Sequence, residues 1–295
     1  MDRSMSIADP FGLKPVWDAI MEVFTHFSKV CDENGLCYFG AFGTALGAVR
    51  HQGFIPWDDD FDVLMPREDY DKFLRIAENA LPEYLRLVTW ENTPEYPHIF
   101  AKVMDTRKPV VAAVEASVGF SLNQGVFIDI FPIDGFPESY LSRKIWWFTY
   151  LFYRCVEWGI QKRKSKTFVQ RIERILGFVA CLMMPWIRSQ RDFMPYLERL
   201  ARKVPYKGSV WCGYTLDHSF FKPHIHSTSV FAESKIVDFY NGSIRLAQDI
   251  DSYLKVEYGD YLKLPPSDKQ KPHHRNQFVA PWKFGPTHGS EGQEV

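Results

Sequence analysis

No stretch of this 295-residue chain is apolar for long enough to cross a bilayer. Its two most apolar runs, Ile145–Tyr153 and Ile175–Ile187, fall short of the roughly 18–20 residues a spanning helix needs. Disulfides also lack support. Cys31, Cys37, Cys155, Cys181 and Cys212 are odd in number and show no CxxC spacing, which predicts free thiols in a reducing compartment, the cytosol. The formal net charge is −1, so no global field favours nucleic acid or acidic lipid, and nucleic-acid partners are excluded on composition. Met1–Pro10 is polar and has no apolar core of the kind a signal peptide carries. No internal repeat is present.

What the chain does have is ordinary core material: 46% apolar and 24% charged residues, enough for one large domain or two small ones. The informative stretch runs from Gly43 to Val63. Gly43-Thr44 follows the apolar run Leu36–Phe42 and precedes a short helical segment, Ala45–Arg50. A small pair at a strand-to-helix turn lets backbone N–H groups and a hydroxyl face an anion. Beyond it stand Asp58, Asp59 and Asp60, then Phe61-Asp62-Val63. The alternation predicts a strand with Asp60 and Asp62 on one face. Two carboxylates so close repel unless a cation lies between them, and hard oxygen ligands suit Mg²⁺ or Mn²⁺ with phosphate oxygens. A bare acidic run is more often a solvated turn; the alternation and the preceding Gly-Thr favour the site.

Arg50-His51-Gln52-Gly53-Phe54-Ile55-Pro56-Trp57-Asp58-Asp59-Asp60-Phe61-Asp62, followed by Met65-Pro66-Arg67-Glu68-Asp69-Tyr70, resembles the LicD family of phosphocholine transferases. That family is related to fukutin and fukutin-related protein, which are alditol-phosphate transferases. The likeness returns at Gly125–Gly135, around Asp129 and Asp134, and more weakly at Tyr258–Pro266 with His273-His274 beyond. It implies a nucleotidyltransferase-like α/β (α+β) fold, a mixed sheet flanked by helices with an inserted helical hairpin. The expected organisation is a catalytic core over 1–138, the insert over 139–206, a return to the core over 207–270 and a partly disordered tail over 271–295.

Local patterns add detail. Helices are expected at Pro15–Asn34, Arg67–Ala80 and Ser243–Glu257, and strands at Leu36–Phe39, Leu85–Trp90, His98–Met104 and Gly125–Phe131. Lys102 either projects to the carboxylate face, where it would neutralise nucleotide phosphates, or is a solvated edge lysine; Arg107 carries the same ambiguity. Asp129, among Phe127, Ile128, Ile130 and Phe131, needs a buried partner, and a cation shared with Asp60 and Asp62 is the simplest. Asp134 reads as structural. His218, His224 and His226 match no zinc spacing and read as surface residues. The insert combines aromatic runs with Lys162-Arg163-Lys164-Ser165-Lys166. Two readings stand open for it: a hairpin buried on the sheet, or a peripheral contact with the inner face of a membrane.

The resemblance therefore implies a transferase taking a CDP-activated donor, most simply CDP-choline, and passing phosphocholine to a sugar hydroxyl of a glycan or its lipid-linked precursor, with CMP leaving. Asp60, Asp62 and Asp129 are the expected catalytic and metal-ligating residues, Asp58 an outer ligand, and Gly43, Thr44 and Lys102 the nucleotide contacts. Choline would require aromatic faces, and Trp57, Tyr96 and Phe131 lie near the motifs, Trp57 being expected beneath the carboxylate strand. The alternatives are a nucleotidyltransferase acting on a small hydroxyl compound, or a catalytically inactive, membrane-associated glycan-binding protein.

Overall fold

A helix with an aromatic stripe begins the structure and sets its first layer. In the computed structural model, which describes residues 9–94, 96, 98–110, 124–161, 175, 177–179, 181–214 and 224–272, α1 spans Lys14–Glu33. Pro15 suits its first turn. Trp17, Ile20, Phe24, Phe27 and Cys31 recur at helical spacing, and all are buried. Phe24 and Phe27 pack against Tyr38, Phe61 and Phe73, the first two just before strands of the sheet and the third on a helix. Asn34 caps the end and Gly35 takes φ +61°.

The main sheet runs β1 (Phe39–Gly40), β2 (Asp62–Pro66), β5 (Gln124–Phe136), β4 (Ala101–Val110), β3 (Leu85–Val88). β2 and β5 are parallel; β1/β2, β3/β4 and β4/β5 are antiparallel. The parallel pair requires a crossover, supplied by α3 (Arg67–Ala80), β3 and β4. β5 is 13 residues long, so its far end remains free to pair with β6 (Trp211–Gly213), which in turn pairs β7 (Ile225–Ser227). Between β1 and β2 lies α2 (Phe42–His51). This is a mixed sheet flanked by helices, an α+β architecture.

Two sequence expectations are corrected here. Ser243–Glu257 is not one helix: Gly242–Ala247 is β9, hairpin partner of β8 (Ser234–Phe239), and the helix α6 is Ile250–Tyr258. Leu246 and Ile250 are four apart, which mimics a helical stripe, but Leu246 and Ile244 alternate along one strand, on the same face and both buried. The two-residue turn Tyr240–Asn241, with Tyr240 at φ +53°, is the hairpin signal that decides it. Asp249 then starts α6 by accepting from the Ser252 N–H. The second correction concerns Asp60, which precedes β2 instead of lying in it; it shares no strand face with Asp62.

The insert contributes α4 (Tyr140–Gln161) and α5 (Gln190–Ala201). Residues 175, 177–179 and 181–183 are helical too and cross α4 at Gly159 and Gly177, where a Cβ on Gly159 would meet the Gly177 carbonyl at 2.4 Å. α5 opens with a capping box in which Ser189 and Asp192 satisfy each other's backbone N–H groups. Ile99, from the loop before β4, packs with Val156, Met184, Ile187 and Phe193, so the insert leans on the sheet domain. Among the described residues no helix is long and apolar enough to cross a membrane. The basic tip 162–166 and the tail from 273 lie outside the described residues.

Buried charge fixes this attachment. Arg67, at the start of α3, donates bidentately to Asp134 of β5 at 2.7 and 2.6 Å and to Glu198 of α5 at 2.9 Å. Arg202 bridges Glu198 and Asp71. The side chains of Arg67 and Asp134 are almost wholly buried, so removing one partner strands an uncompensated charge in the core. Arg67→Met is therefore expected to lose about 3–5 kcal/mol of unfolding free energy, read from urea denaturation. The double variant Arg67→Met/Asp134→Leu should recover much of it.

Candidate active site

The carboxylates are assembled by strand register. Asp62 of β2 stands opposite Asp129 of β5, and Asp129 stands opposite Lys102 of β4. Directly paired residues face the same side of a sheet, so the three form one row across three strands. The Lys102 ammonium lies 2.6 Å from the Asp129 carboxylate, with 3% of its side chain exposed, and 3.6 Å from the Phe127 ring centroid. Of the two readings open for Lys102, the structure shows the inward one. It also gives Asp129 a charge partner that the sequence had assigned to a cation. Arg107, the other ambiguous base, instead pairs with Asp105 and Glu22.

Asp58 and Asp60 approach the row from the loop before β2. That loop is held by the Trp17 indole N–H, which donates to the Asp58 carbonyl at 2.7 Å; a core aromatic thus has a second role that its spacing did not reveal. Burial, then the neighbouring Asp60 and a hydrogen bond to it, push Asp58 well above the usual carboxylate range. Burial, Asp60 and Asp129 do the same to Asp62, with Lys102 opposing. Like charges in a poorly solvated floor favour shared protons or a bound cation. Among the described residues no three His, Cys, Asp or Glu side chains already stand in a coordinating arrangement. The donor set itself, all carboxylate oxygen, is of the kind a hard divalent cation takes.

Gly43 and Thr44 lie in the first turn of α2. A Cβ on Gly43 would come within 2.4 Å of Asp58 Oδ2, so glycine leaves room for this carboxylate at the helix N-terminus. The Thr44 hydroxyl is buried and accepts the Asp62 N–H at 2.9 Å, which ties helix to strand. Phe42 carries φ +40°, an uncommon conformation for an aromatic residue. Its N–H donates to the Tyr253 hydroxyl, and its ring meets Phe131 and Tyr214 edge-on.

Above the acids opens a cleft of about 590 Å³. Its floor includes Gly43, Asp58, Asp60 and Asp62. Arg50, Lys263 and Lys269 supply positive charge, and Leu46, Ile55 and Trp57 an apolar wall. Trp57 is half-buried at the cleft, edge-on to His51, and does not lie beneath the strand. Arg50 donates to the Tyr261 carbonyl across 211 positions of sequence, so the weak third motif, Tyr258–Pro266, forms the opposite lip. Gly259, at φ +67°, lets the chain turn there.

Sequence reasoning missed one cluster. His224 and His226, expected on the surface, both bond to Glu257 of α6, at 2.5 and 2.8 Å, and the Tyr214 hydroxyl donates to the same carboxylate. His226 is buried; His218 lies outside the described residues. The only clue was the i, i+2 spacing of the two histidines, since Glu257 is more than thirty residues away. The cluster braces β7 and α6, whose Tyr253 in turn holds the start of α2.

Residues 35–158 match the family described as LicD/FKTN/FKRP, nucleotidyltransferase domain. That segment, less than half of the chain, is a LicD-family domain. The lipopolysaccharide cholinephosphotransferase LicD of Haemophilus influenzae is similar to 86% of this chain and 92% of its own length at 26% identity. Two uncharacterized Rickettsia proteins match shorter stretches: one of Rickettsia typhi is 46% identical over 20% of this chain and 18% of its own, and one of Rickettsia prowazekii is 54% identical over 14% and 15%. The four acids of the site, Asp58, Asp60, Asp62 and Asp129, fall within the LicD-family segment. Lys263 and Lys269, on the far lip, fall beyond it.

The Glu257 cluster yields a signed pH effect. Burial opposes its ionisation, but hydrogen bonds from His224, His226 and Tyr214 outweigh that and bring its pKa from 4.5 to about 2. A carboxyl depressed on folding adds stability above its unfolded pKa and loses it as pH falls through the folded one. Glu257→Gln is expected to be less stable than wild type at pH 6. The gap should close progressively between pH 4.5 and about 2; thermal melts across that window would show a constant gap if the cluster carried no such linkage.

Proposed function

We propose that this LicD-family protein is a metal-dependent transferase that moves phosphocholine, or a similar alditol or amino-alcohol phosphate, from a CDP-activated donor to a sugar hydroxyl of a cell-surface glycan or its lipid-linked precursor. The observation that carries the proposal is the Asp62–Asp129–Lys102 row, joined by Asp58 and Asp60 under a cleft rimmed with Arg50, Lys263 and Lys269. Acids on the floor and bases on the rim suit a nucleoside diphosphate, which needs cations on both sides. The similarity to a lipopolysaccharide cholinephosphotransferase over most of the chain supports choline as the group and a glycan as acceptor.

In this reading the cytidine end lies against Trp57, Leu46 and Ile55, with Arg50 and Lys263 at its phosphates. The N–H groups of the first α2 turn, at Gly43 and Thr44, add positive dipole at the same place. Mg²⁺ or Mn²⁺, held by Asp60, Asp62 and Asp129 with Asp58 as an outer ligand, would neutralise charge on the diphosphate and the departing CMP. The acceptor oxygen attacks the phosphorus distal to the cytidine. The bond from that phosphorus to the bridging oxygen breaks, and CMP carries away the electron pair. The acceptor proton passes to a carboxylate, and Asp129 is the alternative for that role to its place in the metal shell. Lys102 compensates the charge of Asp129 from behind the residues that line the cleft, so its part in nucleotide binding is through that pair. An inactive binding protein is disfavoured because Asp60, Asp62 and Asp129 are all present.

CMP release should be observed from CDP-choline with a lipopolysaccharide acceptor, and should stop in excess EDTA. Asp60→Ala and Asp62→Ala are expected to abolish it with the fold intact, and Asp129→Asn to lower it by roughly 10²–10⁴-fold. Pyrophosphate release from CTP in place of CMP release would favour the nucleotidyltransferase reading. Full turnover in EDTA, or in either alanine variant, would overturn the proposal.

Gly43→Ala makes a finer test. The added methyl must displace the Asp58 carboxylate, the end of a side chain and not backbone, so the melting temperature should change little. Turnover is expected to fall by about tenfold or more, in line with misplacement of a charged group at a reacting centre.

A further inference from the structure

The described residues 175, 177–179 and 181–186 form a stretch that is apolar on both of its sides. Inward, Gly177 meets Gly159 of α4, the Cys181 thiol points to the Val156 carbonyl, and Met184 is buried. Outward, Ile175, Phe178, Val179, Leu182, Met183 and Trp186 recur at spacings of three and four, and each is at least half exposed. On α4, Leu141, Ile145 and Phe148 are exposed at the same helical spacing. Contiguous exposed apolar surface of this kind marks a contact site, and a helix apolar all round is covered either by protein or by lipid.

Charge chooses between those two covers. Tyr140–Arg191 contains eleven Lys and Arg and two Glu, in a chain whose totals are 35 basic and 36 acidic. A second copy docked on this face would bring two strongly basic segments together. An anionic bilayer leaflet offers the opposite sign as well as apolar depth. Trp186 adds an aromatic ring whose N–H is already satisfied by the Tyr196 hydroxyl at 2.8 Å, a combination suited to the headgroup boundary.

We infer that the outer face of the insert lies in the plane of an anionic lipid surface, with Phe178, Val179, Leu182, Met183 and Trp186 entering the headgroup–acyl boundary and the excess of Lys and Arg in this segment of sequence drawing it to lipid phosphates. On this inference the two readings of the insert combine: its inner side is packed on the sheet domain and its outer side meets lipid. The inference does not depend on which group the cleft transfers.

The full chain is tested by co-sedimentation with vesicles of phosphatidylcholine alone or mixed with phosphatidylglycerol. Wild type is expected to bind the mixed vesicles, to bind the neutral ones less, and to be released as salt rises. The triple variant Phe178→Ser/Leu182→Ser/Met183→Ser removes exposed side chains only, so its melting temperature should hold while its partitioning falls by roughly tenfold or more. Equal binding of wild type to both vesicle types, or undiminished binding of the variant, would overturn the inference. So would a dimer in sedimentation velocity that the triple substitution dissociates. The lipid and salt comparisons use wild type, and they decide the matter even if the variant proves unstable.

Discussion

Everything at the site follows from the cost of placing four carboxylates where water is scarce. Two of them, Asp58 and Asp62, are pushed toward protonation by burial and by their neighbours, and one lysine, Lys102, stands in the same row. A sheet interior would not tolerate this unless something delivered the missing positive charge. The protein supplies part of it by pairing Lys102 with Asp129 and leaves the rest of the floor acidic. The surrounding structure maintains that imbalance. Thr44 binds the Asp62 amide, Trp17 binds the Asp58 carbonyl, and Gly43 makes space for the Asp58 side chain.

The support extends outward in two directions. On one side Tyr253 holds the start of α2, and the Glu257 cluster fixes the helix that carries Tyr253. On the other, Arg67 and Asp134 tie the far ends of β2 and β5 to α5 of the insert. The two parallel strands that display Asp62 and Asp129 are thus clamped toward their C-terminal ends by one buried ion network, while Asp62, at the start of β2, faces the cleft. Placing the rigid charges behind and the unsatisfied ones in front is what makes the front available to a charged ligand.

Much of this was legible in the chain. The helices over α1 and α3 were readable because their apolar residues recur at 3.6, and the Gly43–Val63 stretch because its chemistry is local. The structural reading of Asp134 agrees with its bond to Arg67. Ser243–Glu257 was misread because Leu246 and Ile250 happen to fit a helical period across a strand–helix boundary. The histidines were misread because their partner, Glu257, is brought to them by the pairing of β6 with β7 and the packing of α6, neither of which leaves a local trace.

By itself, then, the sequence determined the residue types of the site and the period of the elements around it, since these rest on chemistry and on contacts between near neighbours in the chain. Only the tertiary structure decided which charges meet. Asp62, Asp129 and Lys102 come from three strands, and it is the register of β2, β5 and β4 that sets them in one row; a shift of one residue in any strand would turn its member to the opposite face. The same holds for the cleft, whose lips are 211 positions apart at the Arg50–Tyr261 contact. Such long-range placements depend on the summed packing of the core, and no local pattern records them.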